Sequence, residues 1–211
     1  MFPEGHPYAR LAPLLLALTF LSGLVDAASF LGLGRVFVAN MTGNVVFLGF
    51  ALSGAAELSA LAAAVALTGF VTGAVAGGAW RREAEAEARR FLVPLLATQT
   101  VLTAVALVAE IAGGGRYAVL VPLACGMGLQ NAVVHRLGVP DLTTTVMTRT
   151  LTGMAADRPG RATVRRGVSV AALATGALTG GLLQARTGVE GVLVAILALS
   201  TAVVLAAGRR R

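Results

Sequence analysis

Lysine is absent from this chain of 211 residues, cysteine and tryptophan occur once each, and aromatic residues make up 5%. A lone Cys125 excludes an intrachain disulfide and a thiolate metal cluster. Lying in an apolar run, it reads as a buried, unreactive packing residue. His6 and His135 are far apart and no cluster of ligating residues accompanies either, so no metal site is expected. Charge is scarce too, at 13%, where soluble domains average roughly a quarter. The sequence has no G-x-S-x-G elbow, no H-E-x-x-H and no phosphate-binding loop. Neither an enzyme nor a nucleotide-driven pump is expected, and no cofactor is implied.

The chain is rich in apolar residues, 56% of the total, with a mean hydropathy of +0.81. That composition identifies an integral membrane protein whose main partner is the lipid bilayer. A net charge of +7 and a pI near 11.3 would suit nucleic acid. All 17 basic residues are arginines, however, and most sit in short clusters between apolar runs. Such clusters are topology signals facing an anionic leaflet, and no nucleic-acid partner is expected.

Spanning the hydrocarbon core takes about 20 apolar residues. Six stretches qualify: Leu11 to Leu31, Leu58 to Trp80, Phe91 to Ala112, Tyr117 to Val134, Gly167 to Ala185 and Val189 to Ala207. Two others are ambiguous, Val36 to Ser53 with its Asn and Thr residues, and the threonine-rich Pro140 to Ala156 with Arg149. Arg10 followed by Leu11 to Leu21 has the outline of a signal peptide. We expect it to be retained, because cleavage near Ala27 would cut into the most distinctive stretch of the chain. The hydrophilic connections RREAEAEARR (81–90) and DRPGRATVRR (157–166) read as a solvated loop and a headgroup-facing loop. The whole of 1–211 is expected to form one membrane domain.

The distinctive stretch is Gly23 to Asn44, which places Asp26, Asn40, Thr42 and Asn44 in greasy sequence. A carboxylate in a membrane segment costs at least a few kcal/mol and usually faces a protein-lined cavity. The stretch also recurs. Gly23, Asp26 and Ala27 match Gly128, Asn131 and Ala132 at a spacing of 105, and Gly32, Met41 and Thr42 match Gly138, Met147 and Thr148 at 106. Thr68-Gly69 and Thr72-Gly73 match Thr175-Gly176 and Thr179-Gly180 at 107. These matches suggest an internal repeat with halves of about 11–112 and 117–207.

Arginine placement limits the topology. Eight crossings would split the arginines nearly evenly, against the positive-inside bias. With six crossings, only Arg35, Arg116 and Arg186 lie opposite the rest. A seven-crossing arrangement is equally lopsided, and the repeat decides between the two: equivalent ambiguous stretches should share one fate, giving three crossings per half. Three crossings per unit make the second copy upside down relative to the first, with broken elements converging near the midplane. The expected fold is therefore an all-α polytopic membrane protein with six transmembrane helices, two broken or re-entrant segments and an inverted 3+3 repeat. Both termini are expected to be cytoplasmic.

The runs D-A-A-S-F at Asp26 to Phe30, F-V-A-N-M-T-G-N at Phe37 to Asn44 and M-G-L-Q-N-A at Met127 to Ala132 resemble the hallmarks of the YoaK-like family. These are bacterial polytopic membrane proteins carrying a domain of unknown function. The resemblance covers essentially the whole chain and implies a small multi-pass protein of the inner or plasma membrane. The chain departs from the family pattern at Arg149, where T-G-T-L-T becomes Thr148 to Thr152 with arginine at the glycine position.

The candidate substrate or ion pathway is then Asp26, Asn40, Thr42, Asn44, Gln130, Asn131, Thr148 and Arg149. Each has a structural alternative. Asp26 could cap a helix break or pair with Arg149, the Asn and Thr residues could satisfy backbone groups freed by the break, and Gln130 and Asn131 could hold helices together. Gly69, Gly73, Gly77, Gly176 and Gly180 form small-xxx-small faces for close helix packing; whether the contact lies within one protomer or in a homo-oligomer is open. Two functions follow: a transporter or channel for a small solute or ion, or a non-transporting membrane protein that assembles with or stabilises partners through its glycine faces.

Overall fold

The computed structural model describes residues 8, 11–55, 57–79, 88–139, 144–145 and 147–209, with the side chains at 88–92 and 208–209 left aside. Most of the 81–90 connection and residues 140–143 and 146 of the second ambiguous stretch lie outside the described residues. Those that are described form seven helices and no strand: α1 (Ala12–Gly32), α2 (Met41–Leu52), α3 (Ala60–Ala79), α4 (Ala88–Ile111), α5 (Gly115–Leu137), α6 (Met147–Ala156) and α7 (Arg161–Arg209). Five are long and apolar enough to cross a membrane, namely α1, α3, α4, α5 and α7. At 49 residues α7 would extend about 70 Å if it were continuous. It is not continuous: Gly188 takes φ 68° and ψ −168°, a conformation closed to other residues, and divides α7 into arms 161–187 and 189–209.

The two ambiguous stretches become short helices. At 12 and 10 residues, α2 and α6 are about 18 and 15 Å long, too short for a hydrocarbon core of about 30 Å. Each follows a long helix that stops abruptly. After α1, the Leu33 amide closes on Ser29 O at 3.0 Å, and Gly34 and Arg35 both take positive φ, turning the chain away. After α5, Gly138 adopts the left-handed conformation common just beyond a helix C-terminus. Ion pairs tie down the flanks: Arg35 with Glu57 across α2, and Asp157 with Arg166 beside α6 at 2.6 Å.

Two helix pairs, α1 with α7 and α3 with α5, form the core, and glycine brings each pair together. A methyl group added at Gly128 would overlap the carbonyl of Phe70, and one at Gly23 the carbonyl of Leu173. From the opposite helix of each pair, Gly73 abuts the carbonyl of Cys125 and Gly176 that of Phe20. Further along, an added Cβ at Gly77 would meet Ala132 Cβ at 2.9 Å, and one at Gly180 would meet Ala27 Cβ at 2.7 Å. Gly69 packs on Ala124. All five glycines of the sequence-predicted faces thus pack inside the protomer. Gly73 and Gly77 meet α5 in the way that Gly176 and Gly180 meet α1, at a spacing of 103 and not the 107 of the Thr-Gly match, one helical turn away.

With no hydrophobic driving force inside a bilayer, such close packing and interhelical hydrogen bonds hold the bundle. One buried chain of these bonds crosses three helices. Gln99 Nε2 of α4 donates to Gln130 Oε1 of α5 at 2.8 Å, Gln130 Nε2 donates to Ser22 Oγ of α1 at 3.1 Å, and Ser22 donates to Leu18 O at 2.9 Å. Large apolar side chains such as Leu61, Val75, Val105 and Leu178 point outward, where lipid chains cover them.

Candidate functional site

The segment between α1 and α2 is held by two side chains. Asp26 Oδ1 accepts the amides of Val38 at 3.0 Å and Ala39 at 2.8 Å, both in the non-helical turn before α2. Asn44, fully buried on α2, clamps Phe37 from both sides: its Oδ1 accepts the Phe37 amide at 2.9 Å and its Nδ2 donates to the Phe37 carbonyl at 2.6 Å. Residues 37–39 have left one helix and not entered the next, so their backbone groups need partners. Phe37 in turn stacks on Phe30 at 4.8 Å and on Phe47 at 5.7 Å.

In the second half, Asn131 Nδ2 donates to Met127 O at 2.9 Å, while its Oδ1 accepts from the Thr145 hydroxyl. Asp26 lies six residues before the end of α1 and Asn131 six before the end of α5. Each reaches over to the segment preceding its own short helix.

A cavity of about 630 Å³ opens where these elements meet. Asp26, Phe37, Asn40, Thr42 and Phe47 line it from the first half, Asn131, Thr145 and Thr148 from the second, with Phe70 on α3 and Leu173 on α7. Met41-Thr42 and Met147-Thr148, the first residues of α2 and α6, face the same space. Its volume lies within the range typical of small-molecule sites, about 300–1,000 Å³.

Five of the eight sequence-predicted pathway residues meet in this cavity: Asp26, Asn40, Thr42, Asn131 and Thr148. Three do not line it. Asn44 is committed to the Phe37 backbone, Gln130 belongs to the interhelix chain, and Arg149 is exposed on α6. The suggested pairing of Asp26 with Arg149 is not formed, because the carboxylate is engaged by peptide amides of its own half. Sequence reasoning missed Phe37, Phe47, Phe70 and Thr145. Phe37 stands at the head of the F-V-A-N-M-T-G-N run, but a phenylalanine in apolar sequence gives no signal that it faces a cavity. Met41 and Met147 had a usable signal, since the same Met-Thr pair stands at 41–42 and at 147–148.

Together these features define a polytopic, all-helical membrane protein with a cavity among its helices that carries a few polar groups on largely apolar walls. The profile of a family described as "Protein of unknown function (DUF1275)" matches residues 14–206. The chain is 31% identical over 155 residues to the UPF0700 transmembrane protein YoaK of Bacillus subtilis (strain 168), covering 70% of this chain and 67% of the relative. The protein belongs to this YoaK-like, DUF1275 family. No solved structure matches it.

Proposed function

We propose that this protein is a small-solute transporter or channel of the bacterial plasma membrane, built as an inverted 3+3 repeat with six crossings and both termini cytoplasmic. The observation that carries the reading is that equivalent residues of both halves, Asp26 with Asn131, Met41 with Met147 and Thr42 with Thr148, line one cavity. The glycine contacts support it, since α1 on α7 repeats as α5 on α3 with matching partners. Counting the two arms of α7 separately turns five candidate spans into six. Short helices entering from opposite faces and meeting around a cavity are the usual construction of sites in inverted-repeat transporters. The alternative role in partner assembly through glycine faces loses its motive, because those glycines are occupied within the protomer.

Two measurements test this reading. Reporter fusions after Arg90 and Arg166 are expected to be cytoplasmic and one near Glu57 external; a cytoplasmic Glu57 overturns the inverted repeat. In proteoliposomes, a panel of cationic, neutral and anionic solutes is expected to include at least one that crosses faster than in protein-free vesicles. Thr42→Trp, which fills the cavity, should cut that flux roughly tenfold or more, equivalent to about 1.4 kcal/mol. A panel in which nothing crosses above background sinks the transport reading.

A further inference from the structure

The cavity lining carries one carboxylate and no basic side chain among the described residues. Among the described residues, Asp26 is the only ionisable side chain in the lining. The two amides that donate to it are dipoles without net charge. The ion pairs formed by Arg35 with Glu57 and by Arg166 with Asp157 lie elsewhere. The stretch 138–148, which contributes Thr145, Met147 and Thr148 to the lining, has no basic residue in its sequence. Arg149, the next residue, stays exposed outside the cavity. A carboxylate at membrane depth is stabilised by a partner of opposite charge or by a proton, and among the described residues no basic side chain lines the cavity.

Two features bear on what that partner is. The space, about 630 Å³, far exceeds a metal coordination shell, and the described residues contain no cluster of three or more metal-ligating side chains. Its walls are substantially apolar, with Phe37, Phe47 and Phe70 in the lining beside the hydrogen-bonding groups of Asn131 and Thr148. Aromatic walls with a nearby carboxylate suit an ammonium group on an apolar body. The first turns of α2 and α6 oppose this, since each helix N-terminus carries about half a positive charge. Asp26 already accepts the amides that lead into α2, which leaves the end of α6 against a full negative charge.

Resting on the reading of the cavity as a solute site, we propose that its ligand is a small organic cation, an amine or quaternary ammonium compound. Its charged head lies at Asp26 and its apolar body against Phe37, Phe47 and Phe70. The test uses three probes of one shape: choline, its neutral isostere 3,3-dimethylbutan-1-ol, and the anion 3,3-dimethylbutanoate, at constant ionic strength against the purified full chain in detergent. Choline is expected to raise the thermal midpoint at concentrations roughly tenfold or more below those the neutral isostere needs.

Asp26→Asn keeps an Oδ1 acceptor for the two amides and should erase the difference between choline and the alcohol. Thr148→Lys puts a positive charge in the cavity without touching those hydrogen bonds, and should abolish choline binding in a protein of unchanged fold. Equal or better stabilisation by the anion overturns the proposal, as does preference for choline that survives both substitutions. Stabilisation by sodium alone, with the same dependence on Asp26, also overturns it in favour of an inorganic cation. Choline binding without flux of any solute would leave this assignment standing and remove the transport reading; flux of other solutes without choline binding would do the reverse.

Discussion

Gly128→Ala is expected to remove most of the folded protein. The added methyl collides with the Phe70 carbonyl, and the amide nitrogen of Ala74 lies close behind. No flexible side chain is present to move aside, so helix α5 must shift away from α3 as a body. Overpacking a tight contact costs about 1–3 kcal/mol and more where the backbone is the obstacle. Here the shift also loosens Gly73 and Gly77, which share the interface. The expected result is a large fall in the monodisperse fraction on size exclusion and in thermal midpoint, with Gly73→Ala behaving alike. Gly49→Ala is the control: nothing lies within 4 Å of its added methyl, and alanine is the better helix former by about 1 kcal/mol. A Gly128→Ala protein as stable as Gly49→Ala would mean that α3 and α5 are not in backbone contact.

The second large effect separates two substitutions at one position. Asp26→Ala strips the acceptor from the amides of Val38 and Ala39, two residues whose side chains are buried. An unsatisfied buried donor costs about 1–3 kcal/mol, and two of them would detach the turn before α2 from α1. Asp26→Asn retains Oδ1 and is expected to stay close to the parent in thermal midpoint. The order parent, Asn, then Ala well below should also appear as faster proteolysis within 33–40 for the alanine variant alone. Equal destabilisation by Asn and Ala would show that the charge, and not the pair of hydrogen bonds, holds the turn.

Much of the architecture is legible in the residues because a bilayer imposes length and apolarity together. The six apolar runs fall within a few residues of α1, α3, α4, α5 and the two arms of α7. The breaks are visible as Gly32 to Arg35 and Gly138, and the polar residues beyond them mark where backbone groups need partners. The register of α3 against α7 is not legible. Thr-Gly occurs twice, four residues apart, in both helices, so a slip of one turn preserves half of the match, and the likeness of Gly73 to Gly176 shows only in their contacts. The roles of Asn44 and Gln130 are hidden for another reason. Thr42 and Asn44 are two positions apart, about 200° around a helix, and one faces the cavity while the other grips Phe37. Composition cannot distinguish them. Arg149 misled because opposite charges in a greasy chain invite pairing, whereas the donors that reach Asp26 are peptide groups twelve and thirteen residues further along.

The crossed pairing of helices bears on how such a chain arises. On the proposed repeat, α1 finds its glycine-bearing partner in α7 and α5 finds its partner in α3, so neither half contains its own complement. A single half made by itself would present an unfilled groove and could close it only on another copy of the same unit. Gene duplication and fusion would then convert a homodimer into one polypeptide. In that scheme the two fused copies are free to diverge, one carrying a carboxylate at position 26 and the other an amide at 131.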